Sequence, residues 1–175
     1  MRGLRKYLTP FAPDQSGAVS VLYELGGIIV ICDAGGCTGN VCGFDEPRWF
    51  ERKSAVFSAG LRDMDAILGR DDRLVDKLVD AAEKVEAGFA AIIGTPVPAV
   101  IGTDYQALKR MCEKKTELPV LTVDTDGMEL YDVGERKAYV ELFKGFAKEK
   151  LPVEPGRIGI LGMTPQDISD LTAAD

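Results

Sequence analysis

A chain of 175 residues with 46% hydrophobic content can bury a core unaided and suits one compact domain. Twenty-eight acidic residues against twenty-one basic ones leave a net charge of −7, which disfavours nonspecific binding to nucleic acid or to an anionic membrane. Histidine is absent, which excludes the usual zinc hydrolase, the Ser/His/Asp triad and any histidine proton shuttle.

No apolar run approaches the roughly 20 residues that span a bilayer, and the opening "MRGLRKYLTPFAPDQSG" lacks the apolar stretch of a secretory signal. The expected location is therefore cytoplasmic. In a reducing cytoplasm, clustered cysteines more often serve metal binding or catalysis than structural disulfides.

From residue 15 onward, short apolar runs alternate with helical patterns, which predicts an α/β fold: a Rossmann-like three-layer domain with a mostly parallel sheet flanked by helices. "GAVSVLYELGG" reads as a helix stopped at Gly26 and Gly27, and "IIVICD" as a strand buried on both faces. "SAVFSAG" and "MDAILG" are a second and a third apolar run, the latter read as a strand. In "RDDRLVDKLVDAAEKVEAG", Leu74, Leu78, Ala82 and Val85 recur at helical spacing, with Asp71 or Asp72 available to cap the start and Gly88 the end. "FAAIIGT" predicts another buried strand, and "VPAVIGTDYQALKRMCEKKT" one helix with Ile101, Tyr105, Leu108 and Cys112 on a single face, so Cys112 reads as core. "LPVLTVDTDG" is a strand entering a turn, "ERKAYVELFKGFAKEKL" an amphipathic helix and "RIGILGM" a last strand. In "TPQDISDLTAAD", Thr164 is an N-cap and Pro165 a first helical residue. Residues 163–175 thus read as the start of a connection to a second domain.

The concentration of chemistry lies in "ICDAGGCTGNVCGFDEPRW", which sets Cys32, Cys37 and Cys42 five apart at the carboxyl end of a predicted buried strand. In open parallel sheets that edge binds ligands. Five residues along a helix leave neighbours roughly 140° apart, and five along a strand put them on opposite faces, so regular structure cannot converge the three thiols. A loop with Gly35, Gly36 and Gly39 can, because glycine reaches backbone angles that other residues avoid. Close C-x-x-C pairs of zinc and thioredoxin-like sites are missing, whereas iron–sulfur ligands occur at varied spacings and can be shared between chains. Cys32 can be a ligand or a core residue, Cys37 a ligand in the glycine turn, and Cys42 a ligand at the start of a short helix. Asp45, Glu46, Arg48 and Trp49 beside the loop form either a solvated turn with an aromatic anchor or an interface. Asp124 and Asp126 in "DTDG" can hold a divalent cation or simply make a turn, and Asp104 suits an early helical position.

Taken together, "GGCTG", "DMDAILGRDDRL", "VIGTDY" and "LPVLTVDTDGM" resemble, in order and spacing, the first domain of the nitrogenase component 1 family of oxidoreductases. The resemblance spans nearly the whole chain. It implies a half-site protein: a homologous component 1 subunit pairs with it, the two share an iron–sulfur cluster near the glycine turn, and an ATP-dependent iron–sulfur reductase delivers electrons. It also implies Cys37 as the family's cluster cysteine. Two further family cysteines fall near Phe11 and Pro96, which cannot ligate iron. A cluster would therefore draw on Cys37 with Cys42, Cys32 or a partner chain. The resemblance covers about the first third of a family subunit, so catalysis by this chain alone is not expected. The second reading is a noncatalytic cofactor-assembly or subunit-pairing module.

Overall fold

The computed structural model describes residues 11–51, 54–149, 152, 154–160 and 162–168. The chain runs α1 (Asp14–Leu22), β1 (Gly27–Ile31), α2 (Gly36–Asn40) continued by a π-helical turn (Val41–Asp45) and a 3-10 turn (Pro47–Phe50), and β2 (Ala55–Ser58). It then forms α3 (Asp63–Leu68), α4 (Asp71–Lys84), β3 (Phe89–Ile93), α5 (Pro96–Ile101), α6 (Tyr105–Thr116), β4 (Val120–Val123), α7 (Tyr131–Phe146) and α8 (Pro165–Ile168).

The strands pair in the order β2-β1-β3-β4, all parallel. Their unbroken apolar sequences follow from this arrangement, since β1, β3 and β4 are covered on both faces and alternation with polar residues would bury charge. Ile29, Ile31, Ala91 and Ile93 face a layer built by α1 and α7. Ile28, Val30, Ala90 and Ile92 face the opposite layer, built by Leu74, Val75 and Leu78 of α4 with Leu108 and Cys112 of α6. The expected three-layer α/β fold, and the core position of Cys112, are both present.

Crossover chirality explains which helix lies where. The cysteine-bearing segment carries β1 to β2 on the α1 side, where Val41 joins that core and Trp49 packs against it. α4 and α6 carry the chain in the other direction, to β3 and β4, on the far side. Opposite directions on opposite faces keep every connection right-handed. The reversal falls between β1 and β3, whose carboxyl ends form the switch-point crevice.

Three sequence expectations need correction. "MDAILG" is helix α3, not a strand. Asp65 Oδ2 accepts the Arg62 N–H at 3.0 Å to start it, and Gly69 ends it at φ +63°. "VPAVIGTDYQALKRMCEKKT" breaks into α5 and α6, because Gly102 turns left-handed at φ +72° and Asp104 caps a new helix by accepting from the N–H groups of Gln106 and Ala107. "RIGILGM" forms no strand over residues 157–160, while Leu161 lies outside the described residues. α7 returns on the α1 face, so a strand added beside β4 would need a left-handed connection, which sheets avoid. Smaller shifts occur at α4, where Arg70 rather than Asp71 or Asp72 is the N-cap residue and the helix closes at Val85 rather than Gly88. Residues 1–10 and 169–175 lie outside the described residues.

α1 is wholly buried despite its polar content, because it packs backbone to backbone on α7. Gly17 faces the Tyr131 carbonyl and Gly134 the Asp14 carbonyl, with no room for a Cβ at either place. The buried Asp14 carboxylate accepts from the N–H groups of Asp126 (3.1 Å) and Gly127 (2.8 Å) and so pins the "DTDG" turn.

Candidate functional site at the carboxyl edge of the sheet

Beyond Ile31 the chain leaves β1 at Cys32 and Asp33, turns through Gly35 at φ +116° and enters α2. The buried Asp33 carboxylate holds this turn. It accepts from the Thr38 N–H at 2.7 Å, the Thr38 hydroxyl at 3.0 Å and the Ser58 hydroxyl at 2.6 Å, the last linking the turn to the end of β2. Asp33, Thr38 and Ser58 were not picked out from sequence. An aspartate ending a buried strand just before paired glycines, with a threonine five residues on, is the signal that could have found them.

Two threonine hydroxyls fasten neighbouring strand ends. Thr95 donates to the Cys32 carbonyl at 2.8 Å and Thr125 to the Gly94 carbonyl at 2.7 Å. The floor of the switch-point crevice is thus tied from β1 through β3 to β4.

The structure separates the three cysteines. Cys32 is buried in the α4/α6 layer, and burial, with Asp71 and Asp33 nearby, pushes its thiol up to about 12. Cys37 is half-buried against the opposite layer. Burial and the Asp33 carboxylate raise its pKa, while the Thr95 side chain nearby pulls the other way. Cys42 is half-buried in the π-helical turn, closed by the Glu46 N–H donating to the Val41 carbonyl at 2.8 Å, and burial with Glu46 and Asp33 raises its pKa. Such widened turns concentrate at functional sites. Gly36 and Gly39 leave open space above the turn. Among the described residues no group of three or more His, Cys, Asp or Glu side chains can hold a metal ion. Cys37 and Cys42 are thus two soft donors carried on successive turns of one helical segment.

The thiols should differ in reactivity accordingly. With 5,5′-dithiobis(2-nitrobenzoate) at pH 8, Cys37 and Cys42 are expected to react in the native protein, while Cys32 and Cys112, the latter held at about 11 by burial and Glu113, react only on unfolding. Four thiols titrating at one rate in the native protein would contradict this placement.

"FDEPRW" is a clamp rather than a solvated turn. Glu46 is 1% exposed and receives Arg48 Nε at 2.7 Å on one oxygen and Nη2 at 2.8 Å on the other. Nη2 also donates to the Ser20 carbonyl at 2.7 Å, and the guanidinium lies 4.7 Å from the Tyr23 ring centre. Asp45 accepts from Ser16 and from Asn40, each at 2.7 Å. These bonds dock the cysteine segment on α1. Asp126 accepts from the Met128 N–H and Asp104 caps α6, so both act as turn and cap residues.

Among the described residues no helix is long and apolar enough to cross a membrane. The family model for nitrogenase component 1 type oxidoreductases matches residues 15–174. A comparison with curated protein sequences found no match. Among solved structures, the fold is similar to "Nitrogenase Cp1 at pH 5" (TM-score 0.61, 18% identity, 79% of this chain and 30% of that chain). It is equally similar to "Nitrogenase Cp1 at pH 6.5" (TM-score 0.61, 18% identity, 79% of this chain and 29% of that one). The chain thus spans about 30% of the length of the solved proteins it matches. With the model matched over almost its whole length, the chain belongs to the nitrogenase component 1 type oxidoreductase family.

Proposed function

We propose that this chain contributes a half-site to ATP-coupled, low-potential electron transfer, with an iron–sulfur cluster bound through Cys37 and Cys42 and completed by a homologous subunit. The observation that carries this reading is the glycine turn itself, which leads from the carboxyl end of β1 into the short helix bearing the half-buried Cys37 and leaves open space above Gly36 and Gly39. Electrons would come from an ATP-dependent iron–sulfur reductase, as the family membership suggests.

When bound, such a cluster accepts and passes single electrons at low potential. The rest falls to the chain's residues. Cys37 and Cys42 surrender their protons on binding iron, against the pull of burial and of Asp33 and Glu46. Asp33 keeps the turn in one conformation through Thr38 and Ser58. Ile31, Val41 and Trp49 keep water from the underside of the turn. Cys32, in the opposite layer, supports the strand end beneath.

After anaerobic reconstitution with iron and sulfide, wild type is expected to show thiolate-to-iron absorption near the visible range, and Cys37→Ala to lose most of it together with its bound iron. An unchanged spectrum and iron content in Cys37→Ala would overturn the ligand assignment. A colourless wild type would favour the assembly or pairing module instead, a reading supported by Phe11 and Pro96 standing where family cysteines fall, Phe11 being fully exposed.

A further inference from the structure

After α7 the chain comes back to the cysteine segment. Thr164 and Pro165 are buried and lead into α8, which lies beside the 3-10 turn Pro47–Phe50. Two side-chain bonds fasten this stretch. The Thr164 hydroxyl shares a hydrogen bond of 2.9 Å with the Tyr131 hydroxyl at the head of α7. Gln166 Nε2 donates to the carbonyl of Asp45, the last residue of the π-helical turn. Both anchors border one turn of α1, since the Tyr131 carbonyl lies against Gly17 and the Asp45 carboxylate accepts from Ser16 at 2.7 Å. Residues 164–166 are therefore a strap from α7 to the cysteine segment.

The Gln166 bond falls where that segment needs one. A helix leaves its last carbonyls without partners of its own, and a turn closed from residue i to i+5 gives up the tighter i to i+4 bonds. Here the Glu46 N–H closes the turn on the Val41 carbonyl at 2.8 Å, with Cys42 inside it. Asp45 is held on both sides: its carboxylate accepts from Ser16 and Asn40, each at 2.7 Å, and its carbonyl from Gln166. Cys37 is fastened otherwise. It lies in the first turn of α2, which Asp33 ties to the end of β2 through Thr38 and Ser58, and the strap has no share in those bonds.

We propose that Gln166 is a positioning residue for Cys42: by holding the Asp45 carbonyl, the strap keeps the π-helical turn closed and the Cys42 thiol half-buried, while Cys37 keeps its place without it. The two thiols thus answer to different parts of the chain, Cys37 to the sheet and Cys42 to the stretch that follows α7. For cluster binding this rests on the reading of Cys42 as a ligand; the placement of the thiol is read without iron.

The test is the alkylation rate of each thiol by iodoacetamide at pH 8 under chelator, resolved by peptide mass spectrometry. Gln166→Met keeps the length of the side chain and removes its donor, and Gln166→Glu sets an acceptor in its place. In both, Cys42 is expected to react about fivefold faster, the factor that one net hydrogen bond puts on a local opening, with Cys37 unchanged. Thr164→Val releases the other anchor and should move Cys42 in the same direction. Hydrogen exchange at the Glu46 N–H should quicken in the Gln166 variants, while their melting temperature stays near that of wild type. A Cys42 rate unchanged in either Gln166 variant, or a rise shared equally by Cys37, would overturn the proposal. A wild type that stays colourless on reconstitution with iron and sulfide would overturn the ligand reading and leave these rates as they are.

Discussion

Replacing Arg48 with Met is expected to destabilise the protein by about 3–5 kcal/mol, because it strands the Glu46 carboxylate in the interior. The side chain of Arg48 is 15% exposed and that of Glu46 is 1% exposed, so water cannot take over for the lost guanidinium. The same change removes the donor to the Ser20 carbonyl and the contact with Tyr23. For a chain of this length the melting temperature should fall on the order of 10 °C. Restoring neutrality with Arg48→Met and Glu46→Leu together should recover most of that loss, since the penalty lies in the unpaired charge rather than in the pair's net worth. Urea denaturation of both variants measures this. A single-variant loss under about 1 kcal/mol, the range of exposed ion pairs, would show that the clamp is not what docks the cysteine segment on α1.

Gly134→Ala should be comparably severe, at about 3 kcal/mol or more, and it acts without any charge. A Cβ there would enter the Asp14 carbonyl, which belongs to backbone and cannot rotate away. α1 would have to lift from α7, and the Asp14 bonds to Asp126 and Gly127 would go with it. Gly43 is the control: it has nothing within reach of a Cβ, so Gly43→Ala should cost little. Equal denaturation midpoints for the two variants would show that the α1–α7 approach can relax.

The sheet was legible wherever burial on both faces demanded an unbroken apolar run, as in β1, β3 and β4, with glycine marking the exit. "MDAILG" misled because a run of that length satisfies helix and strand alike, and the deciding bond, Asp65 to the Arg62 N–H, depends on a turn rather than on periodicity. "RIGILGM" misled differently, since composition announces a strand but cannot say whether a right-handed path to a free edge exists. At the site, sequence identified the glycine turn and the unequal standing of the three cysteines. It left the layers of Cys32 and Cys37 open, as these depend on the pleat and on where the chain turns after it. The clamp of Arg48 stayed hidden because its partners Ser20 and Tyr23 are far away in sequence.

The hydroxyl bonds of Thr95 and Thr125 bear on motion as well as on shape. Strand ends ordinarily fray, opening at little cost while the middle of the sheet stays shut. Here two hydroxyl bonds stitch three adjacent strand ends in series, Thr95 to the Cys32 carbonyl and Thr125 to the Gly94 carbonyl, so the crevice floor opens with the sheet rather than before it. What stands above that floor is held as well, since Asp33 ties the start of the helix bearing Cys37 to the end of β2 through Thr38 and Ser58. The rim therefore shares the stiffness of its base, and a thiol there keeps its place as long as the sheet is shut.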